Sequence, residues 1–357
     1  MLNSKSAKPE TCQVAIFNEP NQTLEIRHEA IPVITNDELL VRVNACTICG
    51  SDLHTITGKR KEDTPTILGH EIIGDVEAIG STPRFDLTGT QIKKGDRLTW
   101  SICISCGHCD RCEESIPQKC GELKKIGHEQ FEPVSGFLGG FAEYVLLPKT
   151  TAVYKIESDL EDEVLCPANC ATATVVAACR QLRAITEKKV LIIGAGMLGL
   201  TATAYLKTHG ATCVTVVEPD NKRREQAFEF GADEIAADIQ SLSGKFDAVL
   251  DFSGSSAAIE AAVQLLDIHG TFVLVGTVAP SPAISLDPEF LVRNLIQLVG
   301  VHNYRPDDLG AAISFLEETA SQFPFRELVE KSFKLVDINE AIDFALREKP
   351  IRVMVRP

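Results

Sequence analysis

The sequence predicts an α/β protein in which a doubly wound parallel-sheet domain interrupts a β-rich domain. Three observations carry this reading. The chain has 357 residues, more than one ordinary hydrophobic core covers. Its first half consists of short alternating apolar runs separated by turn residues. From about Lys188 near-continuous apolar strands alternate with helix-length runs, the pattern of a parallel sheet covered on both faces.

The elements follow in order. ELLVRVNA (38–45), EIIGDVEAIG (71–80) and GFAEYVLLP (140–148) read as strands. CATATVVAAC (170–179) is a small-residue, helix-like run opened by a cysteine. KVLIIGAG is a strand ending in glycines, and MLGLTATAYLKTHG is a helix closed by Gly210. TCVTVVE and NKRREQAFEFG repeat that pair, closed by Gly231. FDAVLDFSG, GTFVLVG and IQLVGV supply further strands, with SAAIEAAVQLL as a helix between two of them. After Asn303 the pattern breaks up, and the chain ends in the strand-like IRVMV. The expected partition is residues 1–165 with 303–357 around a second domain of residues 166–302.

The bulk numbers exclude several classes. Net charge is −15, from 35 basic and 50 acidic residues, which argues against a nucleic-acid partner. The opening MLNSKSAKPETCQVAIF is polar and then strand-like, without a leader. No apolar run reaches the ~18 residues of a membrane span. A cytoplasmic protein without membrane contact is expected. In that reducing compartment twelve cysteines point to metal binding before disulfides.

SCGHCDRCEESIPQKC places Cys106, Cys109, Cys112 and Cys120 at spacings that let one loop wrap a tetrahedral ion. Four thiolates close the coordination sphere, so this site reads as structural zinc. An iron–sulfur cluster uses other spacings. His108 reads as a solvated loop residue and Cys103 as packing.

A second constellation holds Cys49 in CTICGSDLH (46–54) and His70 in ILGHE (67–71). Two ligands alone make a weak site. Cys170 as a third would give Cys, His, Cys with a fourth position open to substrate or water. Taken singly each residue is more often structural, since a buried cysteine packs as a small hydrophobe. Asp52 is a candidate to orient the ligating imidazole. Ser51 and His54 form a possible route for an alcohol proton to solvent.

VLIIGAGMLGL carries Gly194, Gly196 and Gly199, with Ala195, Met197 and Leu198 between them, directly after an apolar strand and opening a helix. That context makes it a dinucleotide fingerprint. Glu218, in VTVVEPD, is the acid expected at the end of the next strand. A carboxylate there hydrogen-bonds the adenosine ribose and repels a 2′-phosphate, which favours NAD over NADP. Arg223 and Arg224 follow closely enough to reach a cofactor phosphate, and also read well as solvated helix charges.

On CGSDLH, GHE, the four-cysteine lobe (about 103–121), GDRL, NCATAT and GAGMLG with its downstream acid, the chain resembles the zinc-containing medium-chain alcohol dehydrogenases over essentially its whole length. The resemblance implies a GroES-like catalytic domain, a Rossmann NAD-binding domain, and two zinc ions per subunit, one catalytic and one structural. It implies Cys49, His70 and Cys170 as catalytic ligands, with Glu71 close behind the metal and Cys166 as a rival to Cys170. Ser51 would take the proton and relay it to His54, and Arg352 would contact the cofactor pyrophosphate. Relatives are dimers or tetramers, and the strand near GTFVLVGTV is a candidate for pairing across a subunit interface.

A narrower likeness, on GDRLTWSI, IPQKC, KKIGHE and PANCATATV, is to the alcohol dehydrogenases associated with phosphonate catabolism. It implies a hydroxyalkyl phosphonate or other small anionic alcohol as substrate, with Lys59, Arg60 and Lys61 available for the anionic tail. The segment STPRFDLTGTQIKK (81–94) is longer than the usual link. Two alternatives remain open: a zinc-dependent polyol or amino-alcohol dehydrogenase, and a non-catalytic NAD-binding sensor of the same fold. The presence of Cys49, Ser51, His70 and Cys170 together favours an enzyme.

Overall fold

A computed structural model describes residues 11–133 and 136–357. The chain forms two compact units, one from residues 1–109, 120–157 and 331–357, the other from residues 110–119 and 158–330.

The first unit is β-rich. Its central strand, Leu39–Ile48, pairs antiparallel with Glu71–Ile79 along one side. On its other side it pairs with Tyr144–Leu147 near its start and with the chain-terminal strand Arg352–Arg356 near its end. Arg97–Trp100 and Val153–Lys155 extend the sheet beyond Glu71–Ile79. A smaller sheet orders Glu25–Ala30, Thr11–Phe17 and Thr66–Ile67. Trp100, Phe17, Phe137 and Phe141 fill the core beside Leu39 and Ile72. The 140–148 run narrows to a four-residue strand.

The long link at 81–94 is pinned. Arg84 donates to the carbonyls of Asp37, Pro148 and Thr151. Asp86 Oδ1 accepts from the Thr88 and Thr90 backbone N–H groups at 2.9 Å and from Thr88 Oγ1 at 2.7 Å. Burial would raise the Asp86 carboxyl, but these bonds outweigh it and hold its pKa below the usual value.

The second unit holds a parallel six-stranded sheet in the order Glu234–Ala236, Cys213–Val217, Lys189–Ile193, Phe246–Asp251, Leu266–Leu274, Gln297–Gly300. The order reverses between Lys189–Ile193 and Phe246–Asp251, and ligands of such sheets bind at the strand ends there. GTFVLVG lies inside the sheet with neighbours on both sides, so it offers no edge for pairing with a second subunit. The outer strand is Gln297–Gly300.

After Asn303, where the sequence pattern breaks up, the chain forms two helices. Pro306–Thr319 starts with proline at its first turn and buries Leu309, Ala312, Ile313 and Leu316, a 3.6-residue period that Gly310 and two aspartates mask in the sequence. It packs on the helix Ala171–Cys179, which carries the second unit on to Glu330. Ile338–Glu348 buries Ile338, Ala341, Ile342 and Ala345 in the same way. Among the described residues no helix is long and apolar enough to cross a membrane.

Candidate metal centre and dinucleotide cradle

The antiparallel register sets up the first site. Thr47 pairs with Glu71, so Cys49, just past the end of one strand, and His70, just before the start of its neighbour, come side by side. Cys49 is the N-cap of the short helix Gly50–Ile56, which carries Ser51, Asp52 and His54 on its roughly two turns. One ligand atom each from Cys49, His70 and Glu71 lies within 4.8 Å of the others.

Asp52, fully buried, organises this corner. Its Oδ2 accepts the Cys49 N–H at 2.8 Å, and its Oδ1 accepts the Gly69 N–H at 3.2 Å and faces His70 Nδ1 at 3.4 Å. The other ring nitrogen, Nε2, lies 3.4 Å from Ser51 Oγ. Burial pulls the His70 imidazole down, but the Asp52 charge and the contacts to Asp52 and Cys49 overcome it and push the pKa up to about 10. The corner thus attracts positive charge. A thiolate and an imidazole held by a carboxylate suit Zn²⁺, so the residues present fit the metal that the sequence implies.

Glu71 and Arg352 form a buried pair beside these candidate ligands. Arg352 Nε donates to Oε2 at 2.8 Å and Nη2 to Oε1 at 2.9 Å, a bidentate contact. Nη2 also reaches Cys49 Sγ at 3.6 Å. The guanidinium expected at the cofactor pyrophosphate is thus engaged with Glu71 and Cys49. Burial raises the Glu71 carboxyl, opposed by the Arg352 charge. His54 is half-buried, and burial followed by Lys59 lowers its pKa, leaving an imidazole able to accept a proton. Lys59 and Lys61 are exposed, whereas Arg60 Nε is tied to Glu62 at 2.8 Å.

In the cysteine loop, Cys120 Sγ lies 3.4 Å from Cys106 Sγ and 3.8 Å from Cys109 Sγ. The backbone N–H groups of Cys106 and Glu122 both donate to Cys120 Sγ at 3.3 Å. Cys112 lies on the short helix Asp110–Glu113 of the same loop. His108 is exposed and Cys103 is buried. In the second unit Cys170 is the half-buried N-cap of Ala171–Cys179, whereas Cys166 is fully buried.

The glycine loop joins Lys189–Ile193 to the helix Met197–Thr208. Gly194 has φ +96°, and a Cβ on Gly199 would collide with the Gly194 carbonyl. Gly196 is different: a Cβ there meets no protein atom. Packing does not demand that glycine, whereas a pyrophosphate approaching the helix N-terminus does. A cavity of about 500 Å³ opens here, lined by Gly194, Gly196, Glu218 and Arg223. Glu218 accepts the Ala195 N–H at 2.8 Å and the Asp220 N–H at 3.0 Å. Arg224 is turned onto the carbonyls of Glu218 and Pro219. The cradle therefore fits a dinucleotide.

Two sets of residues escaped the sequence reading. Asp238, Gln240, Ser253 and Ser255 also line the cavity; the available signal was their place just beyond the ends of the parallel strands Glu234–Ala236 and Phe246–Asp251. His128, whose ring stacks on His70 with centroids 5.3 Å apart, stands in a second GHE triplet.

Residues 35–158 match the alcohol dehydrogenase GroES-like domain and residues 198–318 the zinc-binding dehydrogenase family. The chain is 30% identical over 347 residues to an alcohol dehydrogenase of Geobacillus stearothermophilus, covering 94% of this chain and 96% of that one. It is 29% identical over 339 residues to a D-arabitol-phosphate dehydrogenase of Enterococcus avium, covering 91% and 92%. The solved structure of an alcohol dehydrogenase from Thermotoga maritima superposes with a TM-score of 0.92 at 24% identity, covering 97% of this chain and 99% of that one.

Proposed function

The chain belongs to the zinc-containing medium-chain alcohol dehydrogenases, and on that footing we propose that it oxidises a small alcohol with an anionic tail, reversibly, using NAD. It is an oxidoreductase acting on alcohols. The observation that carries the reading is the corner in which Asp52 holds both Cys49 and His70 while Ser51 stands at His70 Nε2.

Cys49, His70 and Cys170 are the proposed ligands of the catalytic zinc, with Glu71 behind them. Cys106, Cys109, Cys112 and Cys120 would hold a structural zinc. When bound, the catalytic ion supplies Lewis acidity that eases loss of the alcohol proton, and the nicotinamide accepts the hydride. Ser51 takes the proton and His54, kept neutral, passes it on toward solvent. Asp52 fixes the His70 ring by facing Nδ1, which leaves Nε2 for the metal. The glycine loop and the helix N-terminus receive the pyrophosphate. Glu218 selects NAD by disfavouring a 2′-phosphate, and Arg223 stands at the rim of the same cavity.

The anionic tail is supported by exposed Lys59 and Lys61 and by the phosphorylated polyol named for the Enterococcus avium relative. Hydroxyalkyl phosphonates satisfy the same chemistry. Assembly into a dimer or tetramer would use the outer strand Gln297–Gly300, since GTFVLVG is enclosed. The deciding experiment assays zinc-loaded protein with NAD and NADP on neutral alcohols, polyol phosphates and hydroxyalkyl phosphonates. Preference for the anionic members, lost in a Lys59→Ala, Lys61→Ala double variant, is the expected result. Indifference to charge would remove the anionic tail and leave an alcohol dehydrogenase.

A further inference from the structure

We propose that His128 is a substrate-positioning residue, which accepts a hydrogen bond from a second hydroxyl beside the one oxidised and so directs the enzyme to vicinal diols and polyols. The inference rests on the alcohol-oxidising reading above and adds a residue and a substrate feature to it.

His128 is held against the metal-side histidine by its own backbone. At Gly127, where φ is +76°, a Cβ would meet the Gly69 carbonyl oxygen at 2.8 Å and His70 Cβ at 3.2 Å. The strap 126–128 therefore lies directly on the Gly69–His70 turn. The two imidazoles stack with an interplanar angle of 29°. Stacking alone does not call for a histidine, because a phenylalanine would cover the same surface without a polar group to bury.

What distinguishes His128 is the way its nitrogens are used. Nδ1 lies 2.9 Å from Glu62 Oε1, and that oxygen is braced in turn by Arg60 Nε at 2.8 Å. The His128 side chain is only 6% exposed and that of Glu62 only 10%. A carboxylate can only accept, so Nδ1 carries the proton and Nε2 presents a lone pair. Nε2 takes no hydrogen bond from the described residues and is not fully enclosed. The Glu62–Arg60 brace thus aims an acceptor into accessible space one ring's width from His70.

An acceptor in that place recognises an O–H and repels an anionic oxygen. The hydroxyls of a vicinal diol sit about a hydrogen-bond length apart, so one at the reacting position brings the other within reach of the stacked ring. The anionic tail is left to the exposed lysines.

The test compares propane-1,2-diol with propan-2-ol on zinc-loaded wild type, His128→Phe, His128→Gln and Glu62→Gln. Two quantities are read: the ratio of kcat/KM for the two alcohols, and the calorimetric Kd of the diol for the holoenzyme. His128→Phe keeps the stack but removes the acceptor. It should lower the diol-to-monoalcohol ratio about tenfold and weaken diol binding similarly. His128→Gln, which returns an acceptor, should recover part of both. Glu62→Gln, which can satisfy either tautomer of the ring, should lower the ratio severalfold. An unchanged ratio in these variants, with both alcohols falling together, overturns the inference. Equal diol affinity in wild type and His128→Phe overturns it as well. Diol binding that depends on His128 in a protein turning over neither alcohol would sink the oxidising reading while supporting this one.

Discussion

Asp52 holds two candidate ligands with one carboxylate: Oδ2 takes the Cys49 backbone N–H at 2.8 Å while Oδ1 faces His70 Nδ1 at 3.4 Å. One side chain therefore fixes both the cap from which the thiol projects and the rotation of the imidazole.

Replacing it should loosen the metal more than the fold. Asp52→Asn is expected to weaken zinc binding at this corner roughly 10–100-fold, with the lobe ion retained. Chelator competition followed by elemental analysis measures this. Two ions per subunit held equally tightly in the variant would contradict the role given to Asp52.

The cysteine loop should behave as a separate structural site. Cys112→Ser is expected to remove one zinc per subunit and to lower thermal stability, because a structural ion contributes folding free energy directly. NAD binding at the glycine loop should persist, as read by the quenching of protein fluorescence or by calorimetry. A single zinc in wild-type protein would already refute the two-site assignment.

Glu218→Gln separates the carboxylate's hydrogen bonds within the loop from the cofactor selection proposed for it. The amide oxygen can still accept the Ala195 N–H, so the glycine loop stays formed, but the charge facing a 2′-phosphate is gone. The NAD-over-NADP ratio of kcat/KM should fall about tenfold or more. If the ratio does not move, cofactor choice lies elsewhere, with Arg223 the next residue to replace.

The pinned link at 81–94 gives a pH signature. The Asp86 carboxyl is depressed in the folded state by its hydrogen bonds. Its stabilising contribution is therefore complete above its unfolded value, near 4, and is lost as the pH falls through the lower folded value. Asp86→Ala should cost about 1–2 kcal/mol at neutral pH and flatten the acid limb of a stability curve measured by denaturant unfolding. An acid limb identical to wild type would sink this account.

Local chemistry is what the sequence makes readable. Cys106 to Cys120 and Gly194 to Gly199 are each short, contiguous segments whose spacing alone suggests a chemistry, and the strands around them are marked by apolar runs. Pro306–Thr319 hid because Gly310 and Asp307 and Asp308 interrupt its apolar stripe. The pairing of Arg352 with Glu71 hid for another reason. The two lie 281 positions apart, brought close only when the last strand pairs beside Ile48, and no periodicity encodes such a meeting. His128 shares that problem: its stack on His70 depends on a glycine strap whose fit is visible only in three dimensions.

That closing strand has a consequence for how the protein is made. Val353, Met354 and Val355 dock against Ile48, Thr47 and Cys46, so the sheet beneath the candidate metal corner takes one of its members from residues made after the whole parallel-sheet unit. The parallel-sheet unit, by contrast, is complete at Glu330 and can fold while the ribosome is still adding the tail. A chain stopped before Ile351 would then keep the glycine-loop cradle yet lack the guanidinium that pairs with Glu71, so the candidate metal corner is the later of the two to take shape.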